Sequence, residues 1–129
     1  MIVDSSALLA VVLGEEDAEE FLSVLTSADE LAMSAASLVE AGVVAQTRQG
    51  EEALSDLHAL LADLECEVLA FDEEQAQVAL KAWARFGKGR HPAGLNLGDC
   101  FSYAAAQQLG RPLLFKGDDF LQTDVRDVR

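Results

Sequence analysis

Met1-Ile2-Val3-Asp4-Ser5-Ser6 opens the chain, and an unbroken apolar segment, Ala7 to Leu13, follows at once. A short apolar run that ends in an acid and passes straight into an apolar segment reads as a buried strand, a carboxylate at its C-terminal tip, and a helix starting there. In open α/β sheets, ligands bind outside the carboxyl ends of the strands. Asp4 is therefore either a simple cap on the next helix or a group aimed into a site.

The same alternation continues along the chain. Leu31-Ala32-Met33, Cys66 to Phe71 and Pro112-Leu113-Leu114-Phe115 are the further strand candidates, with a last short strand near Val125. Asp17-Ala18-Glu19-Glu20 has the spacing of a capping box ahead of Phe21, Leu22 and Leu25. Ser34 to Gln49 reads as a helix ending near Gly50, and a second helix carries Leu54, Leu57, Leu61 and Leu64 on one side. Asp72-Glu73-Glu74-Gln75 is another capping box, and its helix is expected to bury Ala76, Ala79, Leu80 and Trp83. Gly87 to Gly94 reads as a loop, and Leu97-Gly98-Asp99 opens a helix closed by Gly110. Strands alternating with helices predict an α/β fold: a three-layer α/β/α sandwich around a central parallel sheet, with residues 1–129 forming one domain.

Charge is unevenly distributed. Residues 1–80 carry eighteen acids and one cation, Arg48, whereas residues 81–129 carry five acids and eight cations; the whole chain stands at −14. A strongly acidic chain argues at first against nucleic acid, because phosphate contacts need Lys and Arg. The asymmetry instead suggests division of labour between surfaces. Lys81, Arg85 and Lys88 recur at helical spacing and, with Arg90 and His91, form the one basic cluster. That cluster is either a solvated face or a contact for a phosphate backbone. Cys66 and Cys100 lack metal-ligand spacing. The chain is expected to have no signal segment ahead of the first strand, and no apolar run approaches the roughly 20 residues of a membrane span. The expectation is a soluble cytoplasmic protein with reduced thiols and no membrane partner.

Most acids fall on polar helix faces or in caps, but a few do not. Glu40 sits in mid-helix among Ala36, Ser37, Val43 and Val44, where a charge is costly unless it is paired or bound. Asp99 stands at the positive end of a helix whose residues 100–110 carry no charge, as a cap or as a site group. Asp118 and Asp119 follow the last apolar strand through Lys116-Gly117. Asp4, Asp99 and this pair can all lie at one edge of the sheet, and the helix of Glu40 can reach it. Carboxylates converging without cations repel, and a hard divalent cation, Mg²⁺ or Mn²⁺, resolves the conflict with oxygen ligands alone. Such a site suits phosphoryl transfer. His58 and His91 lack partners at catalytic spacing, so no general base is assigned to a histidine.

Met1 to Leu8, Ser37-Leu38-Val39-Glu40-Ala41, Leu95 to Ala104 and Pro112 to Phe120, with Thr123-Asp124 behind, together resemble the PIN-domain ribonucleases, and within them the VapC-type toxins of bacterial toxin–antitoxin pairs. The resemblance spans the chain in order, and Asn96 to Phe120 is its most specific part. It implies that Asp4, Glu40 and Asp99 hold the metal and that Asp119 matches the fourth acid. Ser6 matches the hydroxyl residue that supports the first Asp. Asp118 stands where the family more often has Asn, which leaves open which of the pair approaches the metal. The family implies Mg²⁺- or Mn²⁺-dependent cleavage of RNA, a cognate antitoxin covering the site, and homodimers. Lys116 is a further candidate for a phosphate contact, or it covers the turn. A haloacid-dehalogenase-type phosphatase needs a second Asp where Ser6 stands, and a receiver domain needs its Asp at the end of a middle strand. The non-enzymatic alternative is a catalytically inactive PIN-like module that binds RNA or protein.

Overall fold

The computed structural model describes all residues from 1 to 129. Four strands, β1 (Ile2–Val3), β2 (Ala32–Ser34), β3 (Glu67–Leu69) and β4 (Leu113–Leu114), form one sheet in the order β3-β2-β1-β4. All three pairings are parallel, with Ile2 opposite both Ala32 and Leu113. Parallel strands present their C-terminal ends at one edge, so Asp4, the start of the helix after β2, and the residues after β4 arrive together.

Side chains alternate between the faces of a strand, and both faces are covered here. Val3, Met33 and Leu114 point into a core built with Leu8, Phe21, Leu25 and Leu57, from helices α1 (Ser5–Val12), α2 (Ala18–Ser27) and α3 (Ala35–Asp63). Ile2, Ala32 and Leu113 point the other way, against Phe86, Leu95, Tyr103 and Ala104 of α4 (Glu73–Phe86), α5 (Leu97–Leu109) and their connection. This is the three-layer α/β/α arrangement expected. No helix is long and apolar enough to cross a membrane.

The expected break near Gly50 is present: α3 runs on past it, but Gly50 itself takes φ 77° and ψ −168°. A residue with a Cβ is strained at such a positive φ, so glycine sets the kink. Other expectations need correcting. Asp17 makes no capping bond to the start of α2, because its carboxylate is drawn to Lys116 Nζ, 2.9 Å away. Asp72 accepts from the Gln75 N–H as a cap should, but the Gln75 side chain turns inward to Gln108 and the Ala104 carbonyl. The chain near Val125 forms a single bridge, Leu113 to Asp127, rather than a strand.

The buried stripe of α4 is Gln75, Ala79, Ala82 and Phe86, not Ala76, Ala79, Leu80 and Trp83. Leu80 is 63% exposed and Trp83 42%. A helix rich in alanine offers two apolar stripes about 100° apart, and the one turned to α5 carries Phe86, whose ring lies 5.8 Å from that of Tyr103.

Candidate active site

Asp4 is a cap, and its carboxylate also reaches beyond its own helix. It is the N-cap of α1, and Ser6 donates to its Oδ2 from both the backbone N–H (3.1 Å) and Oγ–H (2.6 Å). Its Oδ1 accepts from Ser102 Oγ on α5. The carboxylate is buried. Lys116 N–H donates to Ser6 Oγ at 2.9 Å, which ties the exit of β4 to the exit of β1.

Asp99 is not the N-cap of α5. Asn96 is, accepting from the Asp99 N–H at 2.9 Å, while the Asp99 carboxylate returns to the Asn96 N–H at 3.0 Å. This reciprocal capping box fixes the Asp99 side chain at the start of the helix. Asp99 is buried, and burial pushes its carboxyl up to about 7; the Asn96 N–H opposes this, and the charges of Asp4, Asp119 and Glu40 add to it.

Glu40 lies half-buried on α3, where Ser5 Oγ donates to its Oε1 at 2.6 Å. Burial raises its pKa, Ser5 opposes the shift, and the Asp4 charge reinforces it. The Glu40 carboxylate rests directly on Gly98, where any Cβ would overlap it. Gly98 is thus a requirement of space, and it sets α3 and α5 close enough for Glu40 to face Asp99.

Asp119 and Asp118 are both exposed. The Asp119 charge bears on Asp99. Asp118 lines a neighbouring cleft with Asp17, Lys116, Leu121 and Arg129. The ion pairs of the molecule join Arg85 to Asp124, Arg111 to Glu30, Lys116 to Glu15 and Asp17, and Arg129 to Glu20. None reaches Asp4, Glu40, Asp99 or Asp119.

Four carboxylates therefore share one edge of the sheet with no cation to offset them. They are not drawn into a closed cage of three or more ligands. The donor set fits Mg²⁺ or Mn²⁺ in its chemistry, since it is all oxygen, buried at Asp4 and Asp99, and without a cationic partner.

Lys81, Arg85, Lys88 and Arg90 are exposed. Arg85 meets Asp124 at 3.3 Å, and Arg90 stacks on the Trp83 ring. Lys88 N–H donates to the Leu95 carbonyl, which brings this basic loop to the residue before the Asn96 cap. Lys116 Nζ is held by Glu15 and Asp17 at 3.2 and 2.9 Å, so its ammonium is engaged within the protein. His58 is exposed, and His91 Nδ1 accepts from the Ala93 N–H. Neither hydrogen-bonds to the acids.

Sequence reasoning missed Ser5, Ser37, Asn96, Gly98 and Ser102. Spacing held a faint signal: Ser37 precedes Glu40 by three residues, and Ser102 follows Asp99 by three, which puts each on the face of its acid.

The family model described as PIN domain matches residues 1–126. Ribonuclease VapC of Mycolicibacterium smegmatis is 44% identical over 128 residues, covering 99% of both chains. VapC20 of Mycobacterium tuberculosis, a toxin that cleaves the sarcin–ricin loop, superposes with a TM-score of 0.83 at 18% identity, over 99% of this chain and 98% of that one. VapBC2 of Rickettsia felis, bound to a DNA fragment from its promoter, superposes with a TM-score of 0.75 at 13% identity, over 98% and 94%. By its sequence relatives, the chain belongs to the PIN-domain family and, within it, to the VapC ribonucleases.

Proposed function

We propose that this protein is an endoribonuclease that uses Mg²⁺ or Mn²⁺ to hydrolyse RNA phosphodiesters, as the toxin of a toxin–antitoxin pair. The observation that carries the reading is the group of facing, cation-free carboxylates at the C-terminal edge of the sheet. Asp4 and Asp99 hold the metal, and Glu40 and Asp119 complete the site directly or through water. When bound, the cation offsets charge on the phosphoryl oxygens and makes water a better nucleophile at neutral pH.

The chain's own groups prepare that site. Ser6 fixes one oxygen of Asp4, Ser5 orients Glu40, and the Asn96 capping box holds Asp99 in register. Asp118 lines the Lys116 cleft, and its carbonyl accepts from the Leu121 N–H in the turn that carries Asp119. Lys81, Arg85, Lys88 and Arg90 offer a path for the RNA backbone beside the start of α5, where positioning needs charge rather than base readout. The whole chain acts as one domain. A cognate antitoxin, a homodimeric state and a cytoplasmic setting complete the reading, which rests for these on the family.

The test is cleavage of RNA by the purified protein. Activity should require Mn²⁺ or Mg²⁺ and vanish with EDTA. Asp4→Asn should lower it by about a hundredfold or more, the scale of losing a principal electrostatic stabiliser, with native far-UV circular dichroism. Wild-type cleavage by Asp4→Asn would remove the acid edge from catalysis, and no metal-dependent cleavage by the wild-type protein would leave a PIN-like binding module.

A further inference from the structure

Two buried hydroxyls lie behind the acid edge. Ser102 and Ser37 are both fully buried, on different helices, with their Oγ atoms 3.2 Å apart. Ser102 Oγ also contacts Asp4 Oδ1. The direction of these bonds follows from elementary chemistry. An ionised carboxylate only accepts, and a hydroxyl has one proton to give. With Asp4 ionised, Ser102 spends its proton on Oδ1, so Ser37 must donate to Ser102.

Acceptor bookkeeping then says what Asp4 has left. A carboxylate offers about four lone-pair positions. Two donors from Ser6 occupy Oδ2, and Ser102 occupies one position on Oδ1. The position that remains is on Oδ1. Ser37 lies one helical turn before Glu40 on α3, and Ser102 one turn after Asp99 on α5. The pair therefore joins the two helices that carry the other acids to the oxygen of Asp4 that still has room for a ligand.

We propose that Ser37 and Ser102 form a directed hydroxyl relay, Ser37 to Ser102 to Asp4 Oδ1, that positions Asp4 for a divalent cation. The inference rests on the metal-dependent reading above and deepens it. Both serines are positioning residues, since neither faces the substrate. Groups that orient a metal ligand from behind change affinity or activity by about 10- to 100-fold when removed.

A structural role alone makes a different prediction. A buried hydroxyl pair that only fills space would lower the melting temperature when cut back, and leave metal binding alone. The experiment therefore follows the melting temperature of the intact protein across a Mn²⁺ titration, together with kcat and KM for RNA cleavage. Ser102→Ala should raise the Mn²⁺ concentration at half-maximal stabilisation by about tenfold and lower kcat more than KM. Ser37→Ala, the milder change, should act in the same direction less strongly. In a Ser102→Ala background it should add nothing, because the relay is already cut. A wild-type Mn²⁺ midpoint in Ser102→Ala would overturn the relay while the cation site stands. An additive loss in the double variant would overturn the directed chain. A wild-type protein whose melting ignores Mn²⁺ would remove the metal-dependent reading and the relay with it.

Discussion

Two groups of acids meet at the exit of β4, joined by one lysine, and they are treated in opposite ways. Glu15 and Asp17 take the Lys116 ammonium between them. Of Asp4, Glu40, Asp99 and Asp119, Lys116 reaches only Asp4, and then through its backbone N–H by way of Ser6. In the first group, the lysine holds the Asp17 carboxyl below its usual range. In the second, burial and mutual repulsion push Asp99 up to about 7. Acid density alone therefore says little in a chain with 23 acids. What distinguishes the second group is that Asp4 and Asp99 are buried with no cation to answer them, a cost that proteins retain chiefly at functional sites.

The largest effect that would sharpen this contrast comes from Gly98→Ala. The new methyl would occupy the place of the Glu40 carboxylate. Overpacking of this kind costs about 1–3 kcal/mol, but Glu40 can swing outward and relieve much of it. The expected outcome is a folded protein with RNA cleavage reduced toward that of Glu40→Gln. Cleavage at the wild-type rate would mean that Glu40 need not sit between α3 and α5.

A smaller effect concerns pH. The Asp99 carboxyl titrates near 7 in the fold against about 3.8 when exposed, so between those values the folded state binds more protons than the unfolded state. Its contribution is fully present below pH 4 and is lost as pH rises through 7. Metal-free wild type should therefore lose stability relative to Asp99→Asn over that interval, by an amount on the order of a few kcal/mol. Urea melts at pH 5 and pH 7.5 check this. A constant difference between the two proteins would mean that Asp99 is not under strain.

The smallest effect should come from the satisfied cluster. Lys116→Met keeps the backbone N–H to Ser6 and removes only the ammonium. RNA cleavage should stay near wild type, because exposed ion pairs contribute little. A large fall in RNA affinity would restore Lys116 to the RNA-binding set.

Much of the fold and one side of this contrast were legible in the sequence, for reasons that particular residues make plain. The order of strand and helix, the place of Asp4 at the tip of a buried strand and the break at Gly50 all follow from apolar runs, acids and glycine, which act locally. The α4 face did not, because Ala76, Ala79 and Ala82 serve either of two registers, and only the packing of Phe86 on α5 chooses. Asp17 was misread as a cap because its true partner, Lys116, lies 99 residues away. Asp118 and Asp119 are neighbours of like chemistry, and only the turn after β4 separates their directions. The serines were least legible. Ser102 stands in an uncharged, alanine-rich helix, and nothing in one sequence distinguishes a hydroxyl facing a carboxylate from one facing a carbonyl.

The central claim is that the cation-free acids form a divalent metal site, and its most direct test is the melting temperature of wild type and Asp99→Asn, each in EDTA and in millimolar Mn²⁺. Wild type should melt higher with Mn²⁺, since a ligand that binds only the folded state stabilises it by mass action. Asp99→Asn should melt above wild type in EDTA, because one repelling carboxylate is gone, and should gain little from Mn²⁺. Identical curves for wild type in EDTA and Mn²⁺, with Asp99→Asn melting alongside them, would contradict the account.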